Sequence, residues 1–162
     1  MSGRILVAGI GNVFLGDDGF GVEVVRRLLR LSLPEGVRVV DFGIRGFDLA
    51  CALLDGYDAA ILVDATQRGG PPGTIYVLQV EAADSAAEPI QAHGLHPEGV
   101  LRLVRAMGGE PSCLRLVGCE PATFGSEEEP AMGLSPVVES AVDEAVGVIE
   151  SLLLELRTAK AE

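Results

Sequence analysis

Two adjacent aspartates stand in a glycine-rich stretch near the start of the chain. The stretch runs from Gly9 to Gly21 and follows the apolar run Ile5–Ala8. The pattern predicts a loop between a buried strand and an amphipathic helix, with Asp17 and Asp18 where the helix begins. Carboxylates in such a loop can bind a cation or take a proton from water. Asp18 can equally be no more than the N-cap residue of the helix.

The glycine pattern does not fit either of the common phosphate-binding loops. A G-x-G-x-x-G fingerprint that starts at Gly9 needs a glycine where Phe14 stands. A P-loop needs Gly-Lys followed by Ser or Thr, whereas the single lysine of the chain is Lys160. Two carboxylates beside a helix N-terminus would also repel a phosphate. We therefore expect a cation or a polar amide at this loop rather than a nucleotide.

A second aspartate and the two histidines are the other candidates for chemistry. Asp64 ends the apolar run Ala59–Val63, where a buried carboxylate is costly unless it is hydrogen-bonded, paired or metal-bound. The alternative is that Asp64 ties down the neighbouring loop through backbone N–H groups. His93 and His96 precede a predicted helix and can either bind a metal or donate loop hydrogen bonds. Two carboxylates and one imidazole would leave open positions on a borderline divalent ion.

Composition restricts the possible functions. The chain has 162 residues, 48% of them hydrophobic, which is enough for one core, so residues 1–162 are predicted to be a single domain. A net charge of −12 opposes binding to nucleic acid or to an anionic membrane. Three cysteines without a C-x-x-C pair favour a reducing compartment, and Cys51 is expected in the core. We expect a cytoplasmic monomer without a targeting segment.

Strands and helices alternate along the chain in the order βαβαββαβα. The predicted strands are Ile5–Ala8, Val37–Phe42, Ala59–Val63, Thr74–Val80 and Leu114–Val117. The predicted helices lie around Val24–Leu29, over Phe47–Leu54 and Pro97–Met107, and from Ser135-Pro136 onward. The order predicts an α/β fold of three layers, with a mostly parallel twisted sheet of about five strands and helices on both faces.

The fourth predicted strand, Thr74–Val80, is expected to break the parallel pattern. The turn Gly-Gly-Pro-Pro-Gly before it is too short for a crossover, so it should pair antiparallel with its predecessor or lie at an edge. Ligands of such folds bind beyond the carboxyl ends of the strands. Asp17 and Asp18 after the first strand, Asp64 after the third and His93 after the fourth are expected to meet there.

A series of short motifs along nearly the whole chain resembles that of the [NiFe]-hydrogenase maturation endopeptidases. The motifs are Gly9-Ile10-Gly11-Asn12, Asp17-Asp18-Gly19-x-Gly21, Asp41-x-Gly43-x-x-Gly46, Leu62-Val63-Asp64-Ala65, Pro72-Gly73-Thr74, Ala92-His93-Gly94-Leu95, Val117-Gly118-Cys119-Glu120-Pro121 and Gly133-Leu134-Ser135-Pro136. Each motif alone is weak, but their order and spacing together are specific.

The resemblance implies a cytoplasmic, aspartic-type endopeptidase. Such an enzyme removes the C-terminal extension of a hydrogenase large-subunit precursor after nickel has been inserted. By the same resemblance, Asp18, Asp64 and His93 form the catalytic site and bind nickel, which the precursor supplies. The turn at Asp41, Gly43 and Gly46 is implied to recognise the precursor. His96 lies outside this set.

The turn departs from the family pattern at two positions. Ile44 and Arg45 stand where a threonine and a small residue are common in the family. The departure bears on which precursor is recognised and not on the fold.

Other functions remain compatible with parts of the pattern. A receiver domain has similar aspartates but needs a lysine after its last strand, and Lys160 lies in the tail. A non-catalytic nickel chaperone would use the same ligands as the protease.

The chain has no Gly-x-Ser-x-Gly, Asp-Thr-Gly or H-E-x-x-H motif. Either Asp17 or Asp18 could therefore help to activate water.

Overall fold

A computed structural model describes residues 3–80, 97–109, 113–125 and 128–161. Its strands are β1 Ile5–Ile10, β2 Val37–Gly43, β3 Ala59–Ala65, β4 Ile75–Gln79 and β5 Leu114–Cys119. Its α-helices are α1 Phe20–Leu28, α2 Gly46–Leu53, α3 Pro97–Ala106 and α4 Pro136–Ala161, and a short 3-10 helix covers Gly16–Gly19. The predicted element order is confirmed, with boundaries that differ by only a few residues.

The five strands form one sheet in the spatial order β2-β1-β3-β5-β4. Neighbouring strands pair in parallel except β4, which is antiparallel to β5. The α/β fold with a mostly parallel sheet is therefore confirmed. The expected edge position of β4 is correct, but pairing with its predecessor β3 is wrong. The side of β3 that faces away from β1 is already occupied by β5, so β4 adds to the free side of β5.

Helices cover both faces of the sheet, because successive strand residues point to opposite sides. Ile5 and Val7 pack on the face covered by α1 and α4. Leu6 and Ala8 pack on the opposite face, with α2 and α3. Since strands β1 and β3 are covered on both faces, they consist almost entirely of buried apolar residues.

The first loop and the end of β3 meet at the carboxyl edge of the sheet. Strands β1 and β3 are neighbours in the middle of the sheet. From β1 the chain continues to β2 on one side of this pair, whereas β5 lies on the other side, next to β3. This is a topological switch point, where α/β sheets bind their ligands. The close approach of α1 to β3 needs a glycine, since a Cβ on Gly21 would lie 2.0 Å from the carbonyl oxygen of Val63.

Two expectations from the sequence change with the fold. Gln79 at the end of β4 pairs with Arg115 near the start of β5, so β4 ends at the amino edge of the parallel strands. The end of β4 therefore gives no reason to expect His93 at the carboxyl edge, and both His93 and His96 lie outside the described residues. Cys51 is exposed rather than buried in the core. Within the described ranges, no helix has the length and apolar character needed to cross a membrane.

Candidate active site

The two adjacent aspartates have opposite roles, and Asp17 is the structural one. Its side chain is fully buried. Its Oδ2 accepts hydrogen bonds from the N–H groups of Ala122 (2.8 Å) and Thr123 (3.1 Å) and from Ser135 Oγ (2.8 Å). Its Oδ1 accepts a bond from Ser135 N–H at 2.7 Å, immediately before α4. Burial alone would raise the pKa of Asp17, but these hydrogen bonds together lower it.

Asp18 faces away from that network. Helix α1 begins at Phe20, and its N-cap residue is Gly19 without a side-chain cap, so the N-cap interpretation of Asp18 is wrong. One hydrogen bond to the Asp18 carboxylate is present, from the N–H of Asn12 to Oδ2 at 2.8 Å. Burial raises the pKa of Asp18, and the bond from Asn12 only partly offsets this effect. Asp18 therefore keeps oxygen lone pairs for a partner from outside the described chain.

Asp64 is the least compensated carboxylate of the site. It is 8% exposed at the end of β3. Its Oδ1 is buried and has no hydrogen-bond partner within the described parts of the chain. Burial raises the pKa of Asp64 well above its usual range, the charge of Asp18 raises it further, and the N–H of Ala65 lowers it. A buried carboxylate beside a second one needs a proton or a cation to compensate its charge.

Gly11 brings the two carboxylates together. A Cβ at this position would lie 1.9 Å from the carbonyl oxygen of Asp18, a distance that no side chain tolerates. The same atom would lie 3.8 Å from Oδ1 of Asp64. With φ at +141°, Gly11 also has a backbone conformation that other residues rarely adopt. The glycine thus lets the first loop pass directly over the end of β3.

The glycine-rich turn after β2 lies against the same loop. The N–H of Gly11 donates to the carbonyl oxygen of Gly43 at 2.9 Å, and Gly43 has φ of +56°. Gly46 begins α2. The guanidinium group of Arg45 spans the turn by donating to the carbonyl oxygens of Asp41 (2.6 Å) and Phe42 (3.2 Å). The turn that contains Asp41, Gly43 and Gly46 therefore lies against the loop that carries Asp18.

Residues 22–152 match the family model described as hydrogenase maturation protease. The hydrogenase 2 maturation protease of Escherichia coli is 35% identical over 162 residues, which cover 98% of this chain and 94% of that protein. The chain belongs to the hydrogenase maturation protease family. A putative hydrogenase maturation protease of Methanocaldococcus jannaschii is 34% identical over 147 residues, or 90% of this chain and 93% of that protein.

Solved structures of the family have the same fold as this member. The hydrogenase maturating endopeptidase HybD from E. coli superimposes with a TM-score of 0.75 at 31% identity, over 94% of this chain and 93% of that one. A [NiFe] hydrogenase maturation protease from Thermococcus kodakarensis gives a TM-score of 0.67 at 27% identity, over 94% and 93%. The chain is thus a peptidase by family, and its site must supply the groups that cleave an amide bond.

The family member carries a buried glutamate that the sequence analysis did not single out as a site residue. Oε1 of Glu120 accepts hydrogen bonds from the N–H groups of Arg68 (2.8 Å) and Gly70 (3.0 Å) and from the hydroxyl of Tyr76 (2.8 Å). The bond from Arg68 contributes most to lowering the pKa of Glu120. Glu120 directly follows the buried strand β5. An acidic residue at the end of a buried apolar run is also the pattern that indicated Asp64. Two of the three donors to Oε1 are N–H groups of the loop after β3, so Glu120 holds that loop in place.

Cys119, which lies at the same edge of the sheet as this site, does not have the environment of a catalytic nucleophile. Cys119 is buried at the end of β5, and burial, reinforced by the charges of Asp17, Glu120 and Glu144, raises the pKa of its thiol to about 12. Since only a thiolate is an effective nucleophile, Cys119 is inert at neutral pH. Among the described residues, Asp18 and Asp64 are the carboxylates with raised pKa values at the switch point.

The carboxylate pair does not by itself make a metal site. Within residues 3–80, 97–109, 113–125 and 128–161, no three His, Cys, Asp or Glu side chains gather closely enough to hold an ion. The unpartnered Oδ1 of Asp64 and the free lone pairs of Asp18 provide two hard oxygen donors. A third donor would have to come from a residue outside those ranges, such as the predicted ligand His93, or from a substrate.

Proposed function

We propose that this protein is the endopeptidase that removes the C-terminal extension of a [NiFe]-hydrogenase large-subunit precursor after nickel insertion. The observation that carries the proposal is the buried Oδ1 of Asp64, which has no partner among the described residues and lies beside the carboxylate of Asp18 in a member of the maturation protease family. A pair of uncompensated carboxylates attracts a cation. A precursor that already contains nickel brings one.

In this proposal nickel is part of the substrate. Asp18, Asp64 and His93 bind the ion, and ligands of the precursor fill the remaining coordination positions. Carboxylate and imidazole donors suit a borderline divalent ion, and three protein ligands hold it less firmly than a closed four-ligand site. The ion can therefore leave with the product. Recognition by the turn at Asp41, Gly43 and Gly46 adds contacts to the polypeptide around it.

Docking of the ion would place the scissile amide against the carboxylate pair. Water attacks the carbonyl carbon, the C–N bond breaks, and one carboxylate of the pair accepts the proton of the water and delivers it to the leaving amine. A carboxylate that binds the ion through one oxygen keeps its second oxygen for this proton transfer. The reaction needs no covalent intermediate, because a carboxylate activates water directly. We therefore assign the protein to the aspartic type of endopeptidase.

Cleavage of a nickel-loaded precursor, followed by mass spectrometry, tests the function. We expect the wild-type protein to yield a product shortened at its C-terminus, and Asp64→Asn to yield none. Asp55→Asn is the matched control, because Asp55 is exposed beyond the C-terminal end of α2. This variant should cleave the precursor normally. A wild-type protein that binds the precursor and leaves it intact would identify a nickel chaperone and contradict the proposal.

A further inference from the structure

The phenylalanines of this chain are distributed in an unusual way. The chain has five, and only Phe20 and Phe42 are buried. Phe14 is 57% exposed, Phe47 62% and Phe124 40%. Exposed aromatic side chains are more frequent in binding interfaces than on the remaining surface of a protein. Three in one small protein that has no tryptophan therefore need an explanation.

All three exposed phenylalanines lie on segments that build the carboxylate site. Phe14 belongs to the first loop, three residues before Asp17. Phe124 follows Thr123, whose N–H and carbonyl oxygen both bond to Asp17. Phe47 lies in the first turn of α2, directly after the turn that contacts Gly11.

Two exposed aliphatic side chains lie next to residues that contact the same segments. Met132 follows Ala131, whose N–H donates to the carbonyl oxygen of Phe14 at 2.9 Å. Ile44 follows Gly43, whose carbonyl oxygen accepts the N–H of Gly11. We call Phe14, Ile44, Phe47, Phe124 and Met132 the apolar rim. Exposed apolar side chains concentrated on the segments around one site are typical of a surface that another molecule covers.

The charge of these segments indicates the chemistry of that molecule. Apart from the buried Asp17 and Glu120, the described residues within 11–19, 41–48 and 120–135 carry five acidic side chains and one basic side chain, Arg45. Arg45 also uses its guanidinium group within its own turn. The surface around the rim is therefore strongly acidic, as is the whole chain at net charge −12. A second copy of this chain would be repelled, whereas a surface with lysine and arginine would be attracted.

We propose that the apolar rim is the docking surface for an apolar patch, flanked by lysine and arginine, on the folded body of the precursor. This inference rests on the proposed function, because it supplies the contacts that hold the precursor while its metal-bound C-terminal segment lies at Asp18 and Asp64. Docking through the rim contributes to binding of the precursor and not to the bond cleavage itself. Its loss should therefore raise KM much more than it lowers kcat.

The test compares the double variant Phe14→Ser/Phe47→Ser with Leu29→Ser/Leu54→Ser. Leu29 and Leu54 are also exposed, but they follow the C-terminal ends of α1 and α2, at the opposite edge of the sheet. With a nickel-loaded precursor we expect the rim variant to raise KM at least roughly tenfold, as expected for interface anchors. The Leu variant should keep the wild-type KM. Raising the salt concentration should raise the KM of the wild-type protein.

Each remaining outcome decides one claim. An unchanged KM in the rim variant, while the wild-type protein cleaves, would overturn the docking surface and leave the proposed function intact. No cleavage by the wild-type protein would contradict the proposed function, and calorimetric binding of the same precursor to both variants would then still test the rim. A wild-type dimer that the rim variant converts to a monomer, measured by sedimentation, would identify a second copy as the occupant and overturn the proposal.

Discussion

Asp17 and Asp18 are neighbours in the chain whose carboxylates have opposite environments and opposite pKa shifts. Asp17 is surrounded by donors from Ala122, Thr123 and Ser135, which lower its pKa. Asp18 has one donor among the described residues, and burial raises its pKa. The first carboxylate therefore fastens the loop to the segment before α4, which leaves the second one available for chemistry. Only one member of the pair can serve the reaction directly.

This difference predicts that Asp17→Asn destabilises the fold, whereas Asp18→Asn does not. An amide at Asp17 would turn an NH2 group towards N–H donors and leave buried donors unpaired, at about 2–4 kcal/mol. We expect the melting temperature to fall by roughly 4–12 °C. Calorimetry of both variants measures the difference, and equal melting temperatures would show that the network around Asp17 contributes nothing.

The raised pKa of Asp64 predicts that this residue opposes folding at neutral pH. An acid whose pKa rises on folding favours the native state below its unfolded pKa and loses that contribution as the pH rises through the folded value. Asp64→Asn should therefore be more stable than wild type at pH 7, by about 1.4 kcal/mol for each unit of the shift, and inactive. Urea unfolding at several pH values measures it. If the stability gain of Asp64→Asn over wild type does not grow as the pH rises from acid to neutral, the pKa of Asp64 is not raised in the folded protein.

Gly11→Ala should abolish activity by moving Asp18. The new Cβ would collide with the carbonyl oxygen of Asp18, so the first loop must shift away from Asp64. Gly147→Ala is the matched control, because a Cβ at Gly147 meets nothing within 4 Å and Ala is favoured inside α4 by about 0.5–1 kcal/mol. Cleavage assays on both proteins test the prediction. Normal cleavage by a folded Gly11→Ala protein would show that the loop position is unimportant.

The two histidines predict a difference in metal affinity. His93→Ala should weaken nickel binding roughly 10–100-fold or more, a loss at least as large as that for second-shell substitutions. His96→Ala should bind as wild type, because His96 is outside the proposed ligand set. Titration calorimetry with nickel alone measures the affinity of each variant and distinguishes the two histidines. Equal affinities of the two variants would remove His93 from the site.

The sequence predicted the features that depend on neighbouring residues. Hydrophobic runs located the strands, and an aspartate directly after the run Ala59–Val63 indicated the position of Asp64. The pairing of β4 with β5 was missed, since it depends on which edge of the sheet remains free. The distinct roles of Asp17 and Asp18 could not be assigned either, because the partners of Asp17 lie more than 100 residues away. Local patterns carry no information about such contacts.

The central claim is that nickel in the precursor completes the site at Asp18 and Asp64. Cleavage rates of one precursor, prepared with and without nickel and incubated with the same enzyme, test it most directly. We expect the nickel-loaded form to be shortened at its C-terminus and the metal-free form to react roughly 100-fold more slowly or not at all, because its scissile bond is not positioned. Equal cleavage of both forms would contradict the account, even though the protein would still be a protease.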